Sequence, residues 1–338
     1  EFRRVLFRSS TKSQVLTLLM KQTPAFLSGE EMAQRLSLSR TAIWKAINEL
    51  KKDGYQITSV QNKGYRLEKS DVLSAEGIQL ALWPQTPPLT ITVLETSEST
   101  MTDAKRAILD QTPDNTLIVA DMQEMPRGRF GRPFFATPGK GIYMSMVLQP
   151  NQNFEEIAQY TVIMAVAVAR AMDALAGVHT EIKWVNDLYL NGKKVCGILS
   201  EAMSNVETGQ ISNVIIGMGI NFSITETEFP EDIRQKVTAL FPDGEPTASR
   251  NELVANIWNH FYQILDERST KDFLEEYRQR SFVIGKDVAF TQNGQDFRGV
   301  ATTINGNGEL IVQLPDGTSK TLSSGEISLD QIGEWRRG

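Results

Sequence analysis

Residues 183–199 read Lys-Trp-Val-Asn-Asp-Leu-Tyr-Leu-Asn-Gly-Lys-Lys-Val-Cys-Gly-Ile-Leu, and this stretch decides the fold of the central part of the chain. Asn191-Gly192 lies between two runs of β-prone residues, where Asn-Gly is the strongest short-range signal for a β-hairpin. A two-residue turn at this point sets Tyr189 opposite Lys194.

The same hairpin predicts a cluster of charged side chains. Alternation along the two strands places Lys183, Asp187 and Lys194 on one face of the sheet. Asp187 and Lys194 become diagonal neighbours, about 7–8 Å apart between backbones and within reach of long side chains. We therefore expect a charged site on this face.

Strand-like and helix-like patterns surround the hairpin. Residues 157–176 have the longest apolar helix pattern, but Gln159, Arg170 and Asp173 interrupt it, so we expect a core helix and no membrane span. Strands mixed with long helices indicate an α+β domain. The expected strands are Thr90–Thr96, Leu117–Asp121, Tyr143–Leu148, Glu181–Leu190, Lys193–Ala202 and Asn213–Asn221.

Residues 123–132, Gln-Glu-Met-Pro-Arg-Gly-Arg-Phe-Gly-Arg, form an unusual segment in which three arginines alternate with two glycines. Glycine permits backbone conformations whose N–H groups converge on an anion. Arginine binds phosphate and carboxylate through two parallel hydrogen bonds. The segment is neither a Walker loop nor a Rossmann fingerprint. We expect an anion-binding loop; composition alone also allows an RNA-binding or a merely solvated loop.

The net charge of −6 is divided unevenly along the chain. Residues 1–69 hold 13 basic and 6 acidic residues, a surplus of seven positive charges that leaves −13 on the remainder. A basic head on an acidic body indicates a nucleic-acid partner for the head alone.

The N-terminal pattern predicts three helices followed by a β-ribbon, the plan of a winged helix-turn-helix. Ser28 and Glu31 have capping-box spacing at the start of the second helix. The third helix begins at Ser39 or Arg40 and is expected to enter the major groove of DNA. A protein-interaction module with a solvated basic face is the alternative. The expected DNA contacts are Ser39, Arg40, Thr41 and Lys45, with Lys63 at the tip of the wing.

The last part of the chain is dense in turn signals, and short strands at such spacing predict a small β-barrel. The turns fall at Asn293-Gly294, Asn305-Gly306, Asn307-Gly308 and Asp316-Gly317, and the strands at Asp287–Thr291, Gln295–Thr303, Leu310–Leu314 and Ser319–Leu322.

The cysteine and the N-terminal decamer bear on the compartment. One cysteine, Cys196, allows no internal disulfide, and we expect it to be a small buried residue and no nucleophile. Residues 1–10 are basic and lack both an initiator methionine and the apolar region of a signal peptide. We exclude these ten residues from the fold; the alternative is that they form a natural, disordered N-terminal arm. We expect the protein to be cytoplasmic.

Together these motifs resemble those of the bacterial biotin protein ligases. The winged helix matches the bifunctional subgroup, which also represses biotin operons. The resemblance extends from about Thr11 to Leu329. It rests on the Gly-Arg loop at 123–132, Lys183–Tyr189 (similar to Lys-Trp-Pro-Asn-Asp), Lys194–Leu199 (similar to Lys-x-x-Gly-Ile-Leu), Gly217–Asn221 and Gly325–Ser328.

The resemblance implies an α+β chain of three domains. Residues 11–69 would be the winged helix-turn-helix, residues 70–280 a mixed α/β catalytic domain similar to class II aminoacyl-tRNA synthetases, and residues 281–338 an SH3-like β-barrel.

The resemblance also implies two functions. The enzyme would form biotinyl-5′-AMP from biotin and ATP and transfer biotin to a lysine of the biotin carboxyl carrier protein. As a biotin-responsive repressor it would bind operator DNA as a homodimer.

Roles for single residues also follow from the resemblance. Catalysis is assigned to Lys194, Arg129 and Asp187. Biotin binding is assigned to Ser99, Thr100, Met101, Gln123, Arg127, Gly128, Arg129 and Lys194. ATP and adenylate binding is assigned to Arg127, Arg129, Arg132, Asn186 and Asn221. We expect Mg²⁺ to arrive with ATP and no metal site built from protein ligands alone.

Five positions depart from the family pattern and bear on adenylate affinity and loop dynamics; one is Asp330, where some members have Arg. Met101 stands where many ligases have Asn, Pro126 replaces Gly, Phe130 replaces Arg, and Val185 replaces Pro. Three rival functions remain open at this point: a transcription factor that only senses biotin, a lipoate or octanoyl transferase, and a ligase whose head no longer binds DNA.

Overall fold

The computed structural model describes residues 10–150, 157–204, 211–270 and 272–329, with the side chains of Arg129, Ile157, Ala158 and Ser204 outside the description. The chain divides into two compact units, residues 1–82 with 249–255 and residues 83–248 with 256–338. The three expected domain boundaries stay a prediction.

The first unit has the predicted three helices and β-ribbon. Its buried core includes Leu19, Met32, Ile43, Ile47 and Leu50. The elements are α1 (Thr11–Gln22), α2 (Gly29–Leu36), α3 (Arg40–Lys52), β1 (Ile57–Val60), β2 (Gly64–Leu67) and α4 (Ala75–Ala81).

Side-chain caps define where these helices begin. The Oγ atoms of Ser28 and Ser39 accept the backbone N–H groups of Glu31 and Ala42, each at 3.1 Å. The Glu31 carboxylate pairs with Arg35. Ser10, which we excluded from the fold, caps α1 by accepting the N–H of Ser13, so the exclusion was wrong for this residue. Residues 1–9 lie outside the described chain.

A glycine fixes the wing against the start of α2. Gly64 has φ +102°, and a Cβ there would lie 2.2 Å from the carbonyl oxygen of Leu27. Leu27 and Tyr65 exchange backbone hydrogen bonds at 2.9 Å.

The same unit includes Arg250, whose buried guanidinium donates to the Asp71 carboxylate at 2.7 Å.

The second unit contains a seven-stranded mixed sheet in the order β3-β4-β5-β9-β8-β7-β6. β3 and β4 are parallel, and the other neighbours are antiparallel. The strands are β3 (Thr90–Ser97), β4 (Thr116–Gln123), β5 (Gly141–Leu148), β6 (Glu181–Lys183), β7 (Asp187–Leu190), β8 (Lys193–Ser204) and β9 (Ile211–Asn221). The helices are α5 (Thr100–Leu109), α6 (Ile157–Ala176), α7 (Glu231–Arg234), α8 (Arg250–Asp266, whose residues 250–255 belong to the first unit) and α9 (Asp272–Arg280).

The hairpin at Asn191-Gly192 has the predicted register, with Tyr189 opposite Lys194. A bulge follows, because Leu188 pairs with Cys196 and leaves Val195 as the extra residue. Val195 and Cys196 are therefore both fully buried.

The expectation of one strand over Glu181–Leu190 was wrong. The chain turns at residues 184–186, so β6 and β7 pair with each other and Lys183 lies opposite Asp187. Backbone bonds close this turn onto β8, since the N–H of Ile198 donates to the carbonyl of Asn186 at 3.0 Å.

Helix α6 has the exact bounds that its apolar pattern predicts. Residues 159–176 are long and apolar enough to span a membrane by length and composition, but 61% of this window is buried inside the protein. Such burial is typical of a core helix.

The C-terminal strands form a five-stranded antiparallel sheet in the order β13-β12-β11-β10-β14. They are β10 (Asp287–Gln292), β11 (Gln295–Ile304), β12 (Leu310–Gln313), β13 (Ser319–Leu322) and β14 (Ile327–Leu329). Four match the expected strands of the small barrel; β14, only three residues long, was not predicted.

The cap of α2 can be tested by Ser28→Ala, which removes the acceptor for the Glu31 N–H. We expect the free energy of unfolding of the first unit to fall by about 1 kcal/mol. Ser28→Asp keeps an acceptor and serves as the matched control. Urea unfolding followed by circular dichroism measures both, and equal stability of the two variants would contradict the capping role.

Candidate functional site

A cavity of about 220 Å³ lies in the second unit, at the end of the hairpin that carries the charged residues. It is lined by the start of α5, the end of β4, the loop after β4, the 183–187 turn, β8, β9 and residues 325–327. Ten of the predicted site residues line it: Ser99, Thr100, Met101, Gln123, Arg127, Gly128, Arg132, Asn186, Asp187 and Lys194.

Lys194 and Asp187 form an ion pair at the centre of this set, with 2.8 Å between Nζ and Oδ2. Both side chains are partly buried, 30% and 23% exposed. Gly197 makes room for the pair, since a Cβ there would lie 3.2 Å from the Lys194 Nζ. The Lys194 backbone is fixed as well, because its N–H donates to Lys236 and its carbonyl accepts from Thr238, both at 2.9 Å.

The N-terminus of α5 forms a polar wall. The backbone N–H of Thr100 donates to Gln123 Oε1 at 2.7 Å, and the Thr100 hydroxyl bonds that of Ser145 at 2.8 Å. Thr100, Gln123 and Ser145 are all buried. These bonds fix the positive end of a helix dipole at the cavity, which favours an anionic or polar ligand group.

The Gly-Arg loop folds back on itself as a small hairpin over the cavity. The N–H of Gly128 donates to the carbonyl of Arg132 at 2.8 Å, and the N–H of Phe134 donates to the carbonyl of Pro126 at 3.1 Å. Arg132 also pairs with Glu326 at 2.5 Å. Arg129 begins a short 3₁₀ turn, but its side chain lies outside the described part, so its role stays a prediction.

Two glycines of β9 shape the opposite wall. A Cβ at Gly217 would lie 2.4 Å from the Met101 sulfur, and one at Gly219 would lie 2.7 Å from the Phe134 ring. The spacing Gly217-Met218-Gly219 puts both glycines on one face of the strand. That alternation was the signal for a close approach at this wall, which Phe134 makes; we did not assign Phe134 or Glu326 to the site. Lys183, which we placed in the charged cluster, lines the cavity as expected.

Asn221 is not among the residues that line the cavity. It is buried at the end of β9, where its Nδ2 donates to the carbonyl of Thr238 at 2.9 Å. This bond ties the 238–240 segment to the sheet, so a nucleotide contact for Asn221 stays a prediction.

Burial sets the protonation of two groups beside the ion pair. Burial, with the nearby Asp187 and Glu326 carboxylates, raises the pKa of Tyr189 to about 12. Burial also raises the pKa of the Cys196 thiol far above its usual range. Both groups stay neutral at pH 7, and Cys196 is the buried residue that the sequence predicts.

The first unit has a second candidate surface, a groove between α3 and the wing. Arg40, Thr41 and Trp44 line it from α3, together with residues 59–62 of the wing. Trp44 is 58% exposed, an unusual exposure for so large an apolar side chain. Lys45 and Lys63 are exposed but do not line the groove, and the hydroxyl of Ser39 caps α3.

Three protein-family models match the chain. Residues 11–66 match an HTH domain, residues 93–221 match the biotin/lipoate A/B protein ligase family, and residues 283–330 match the biotin protein ligase C-terminal domain.

Curated relatives match nearly the whole chain. "Bifunctional ligase/repressor BirA" of Bacillus spizizenii is 33% identical over 322 residues, which cover 94% of this chain and 98% of the relative. The protein of the same name from Escherichia coli is 27% identical over 311 residues, which cover 90% and 93%. Among solved structures, a biotin protein ligase from Aquifex aeolicus in complex with biotin and ATP has a TM-score of 0.60 and 26% identity, with coverage of 72% and 99%.

Burial of the single cysteine leads to a simple prediction. The folded protein at pH 8 should not react with iodoacetamide, because the Cys196 thiol is buried and its raised pKa leaves almost no thiolate. After unfolding in guanidinium, one equivalent should react, since the chain has one cysteine. Mass spectrometry reads both states, and rapid labelling of the folded protein would contradict this assignment.

Proposed function

The chain belongs to the family of bifunctional biotin protein ligases and repressors, and we propose that it activates biotin with ATP and transfers it to a lysine of a biotin carboxyl carrier protein. The observation that carries this proposal is the convergence of the Lys194–Asp187 ion pair and the Gly-Arg loop on one cavity. The Bacillus spizizenii relative, which is named a bifunctional ligase/repressor and aligns over 94% of this chain, supports the proposal.

In the first step an oxygen of the biotin carboxylate bonds to the α-phosphorus of ATP, and the bond to pyrophosphate breaks. Two anions must approach each other, so cations at the point of contact lower the barrier. Lys194 is proposed to hold the carboxylate and Arg127 and Arg132 the phosphates, with Arg129 as the expected further cation. The polar wall at Ser99, Thr100 and Gln123 is proposed to bind the biotin ring end.

In the second step the amine of the carrier lysine attacks the acyl carbon of biotinyl-5′-AMP, and AMP leaves. The amine must lose a proton. Asp187 is the carboxylate closest to Lys194, at 2.8 Å, and is proposed to accept this proton or to orient the amine. The loop over the cavity would keep water from hydrolysing the mixed anhydride.

Magnesium is proposed to enter as part of the nucleotide substrate. The cavity carboxylates Asp187 and Glu326 are engaged in ion pairs with Lys194 and Arg132. No cluster of three potential metal ligands occurs among the described residues. This donor set suits an ion that keeps its phosphate and water ligands and neutralises charge on the leaving pyrophosphate.

For the regulatory role we propose that biotinyl-5′-AMP is the corepressor and that a homodimer binds operator DNA. One winged helix makes few contacts, whereas two linked modules gain effective concentration at a two-fold site. The basic head and the groove at Arg40 support DNA as the partner. A single buried cysteine fits the reducing cytoplasm, which is the compartment we propose.

Adenylation can be tested by Lys194→Ala. We expect biotin-dependent exchange of labelled pyrophosphate into ATP to fall about 10²–10³-fold, the usual cost of removing one charge-stabilising contact. Lys193→Ala is the matched control, because the Lys193 side chain pairs instead with Glu226 at 3.6 Å and does not line the cavity.

Two outcomes would contradict the proposal. Absence of exchange in folded, biotin-binding wild-type protein would leave a sensor that does not catalyse adenylation. An equal loss in both lysine variants would remove Lys194 from its assigned role.

DNA binding can be tested by Arg40→Ala, with Lys12→Ala as control because Lys12 pairs with Asp53 and does not line the groove. The probe is a fragment selected from random-sequence DNA by the wild-type protein with biotin and ATP. We expect about tenfold weaker binding and, if the contact is to phosphate, a salt slope smaller by about 0.9. Binding by both variants equal to that of the wild type would contradict the assignment of Arg40.

A further inference from the structure

The C-terminal sheet contacts the cavity through a buried hydrogen bond that the proposed chemistry does not use. The indole Nε1 of Trp184 donates to the backbone carbonyl of Gly308 at 3.0 Å. Trp184 is 3% exposed and lines the cavity, whereas Gly308 lies in the turn between β11 and β12. The bond therefore joins the catalytic turn at 184–186 to the C-terminal sheet.

The turn on the C-terminal side is held in one shape. The Asn305 side-chain oxygen accepts the N–H groups of Asn307 at 2.9 Å and Glu309 at 3.0 Å. Gly308 has φ +82°, and a Cβ there would lie 2.8 Å from Val162 of α6. The carbonyl of Gly308 is thus presented at a fixed place by a turn that packs closely on α6.

The turn on the catalytic side is held at each of its three residues. Besides the bond of Trp184, the Val185 carbonyl accepts the Tyr277 hydroxyl at 2.8 Å, and the Asn186 side chain donates to the Ile198 carbonyl. Asp187 follows directly. The place of its carboxylate relative to Lys194 consequently depends on where this turn is anchored.

A second contact between the sheet and the cavity is weaker. Arg132 and Glu326 form an ion pair whose side chains are 67% and 40% exposed. Exposed pairs of this kind contribute little. In a buried hydrogen bond, by contrast, removing one partner leaves the other unsatisfied. The protein then loses stability by the full desolvation free energy of that group.

We propose that Trp184 is a positioning residue, whose indole N–H bonds Gly308 and thereby sets Asp187, beside Lys194, for the transfer step. The inference rests on the proposed ligase function. Misplacement of a reacting group by about 1 Å costs up to about 10²-fold in rate, so a small shift of the turn is measurable.

The test is Trp184→Phe, which removes the N–H and leaves most of the ring. Trp258→Phe is the matched control, because Trp258 is fully buried and its Nε1 has no hydrogen-bond partner in the described chain. We expect kcat of biotin transfer from biotinyl-5′-AMP to a biotin carboxyl carrier protein domain, the step assigned to Asp187, to fall about tenfold in Trp184→Phe, with KM for the carrier domain changed less than about twofold. The control should keep its kcat even if its Tm falls.

Gly308→Ala tests the same bond from the other side and replaces Trp184→Phe if that variant does not fold. Its control is Gly317→Ala, since Gly317 has a similar φ of +85° and nothing within 4 Å of an added Cβ. We expect kcat to fall only for Gly308→Ala. The double variant with Trp184→Phe should lose no more than the worse single variant, because Gly308→Ala displaces the acceptor of the same bond whose donor Trp184→Phe removes.

Two different outcomes would overturn the inference. Equal kcat in each variant and its control would mean that Trp184 is only a core residue. Additive losses in the double variant would mean that Trp184 and Gly308 act independently. Lack of exchange in the wild type would instead contradict the proposed function itself, and the inference with it.

Discussion

The ion pair between Asp187 and Lys194 brings together the two strands of one hairpin, and the other parts of the cavity are arranged around it. Lys194 is fixed through its own backbone by residues 236–238, and Asp187 through the turn that precedes it. Gly197 leaves room for the side chains of the pair, since a Cβ there would lie 3.2 Å from the Lys194 Nζ. A pair held in this way supplies a positive and a negative group at a set distance, which suits a reaction that first joins two anions and then deprotonates an amine.

The remaining walls follow from contacts that tolerate only small residues. Gly217 and Gly219 let Met101 and Phe134 reach the surface of β9. Met101 thus has a packing role against Gly217, whatever it contributes to ligand binding in place of the family's Asn. The Gly-Arg loop is closed by its own backbone bonds, so Pro126 costs it little: its carbonyl accepts a bond, and its missing N–H is not needed for that bond.

Periodicity and turn chemistry predicted much of this fold. Asn191-Gly192 predicted the register of the hairpin, and apolar spacing predicted α6. The turn at 184–186 was missed because it contains neither Gly nor Pro and is held by distant partners, Tyr277, Ile198 and Gly308. The bulge at Val195 was missed for a similar reason, since it depends on the pairing of Leu188 with Cys196. Family motifs named most of the cavity lining, but motif matching says nothing about the burial of Asn221 against Thr238.

Chain order has a consequence for biosynthesis. The N-terminal unit includes residues 249–255, where the buried Arg250 guanidinium bonds Asp71, and the cavity takes part of its lining from residues 325–327. A ribosome that has made the three N-terminal helices has therefore not yet supplied all the residues that complete their unit. The nascent polypeptide would complete this unit, beyond the helix core of residues 15–67, only after residues 249–255 have emerged, and its ligase pocket only after residues 325–327.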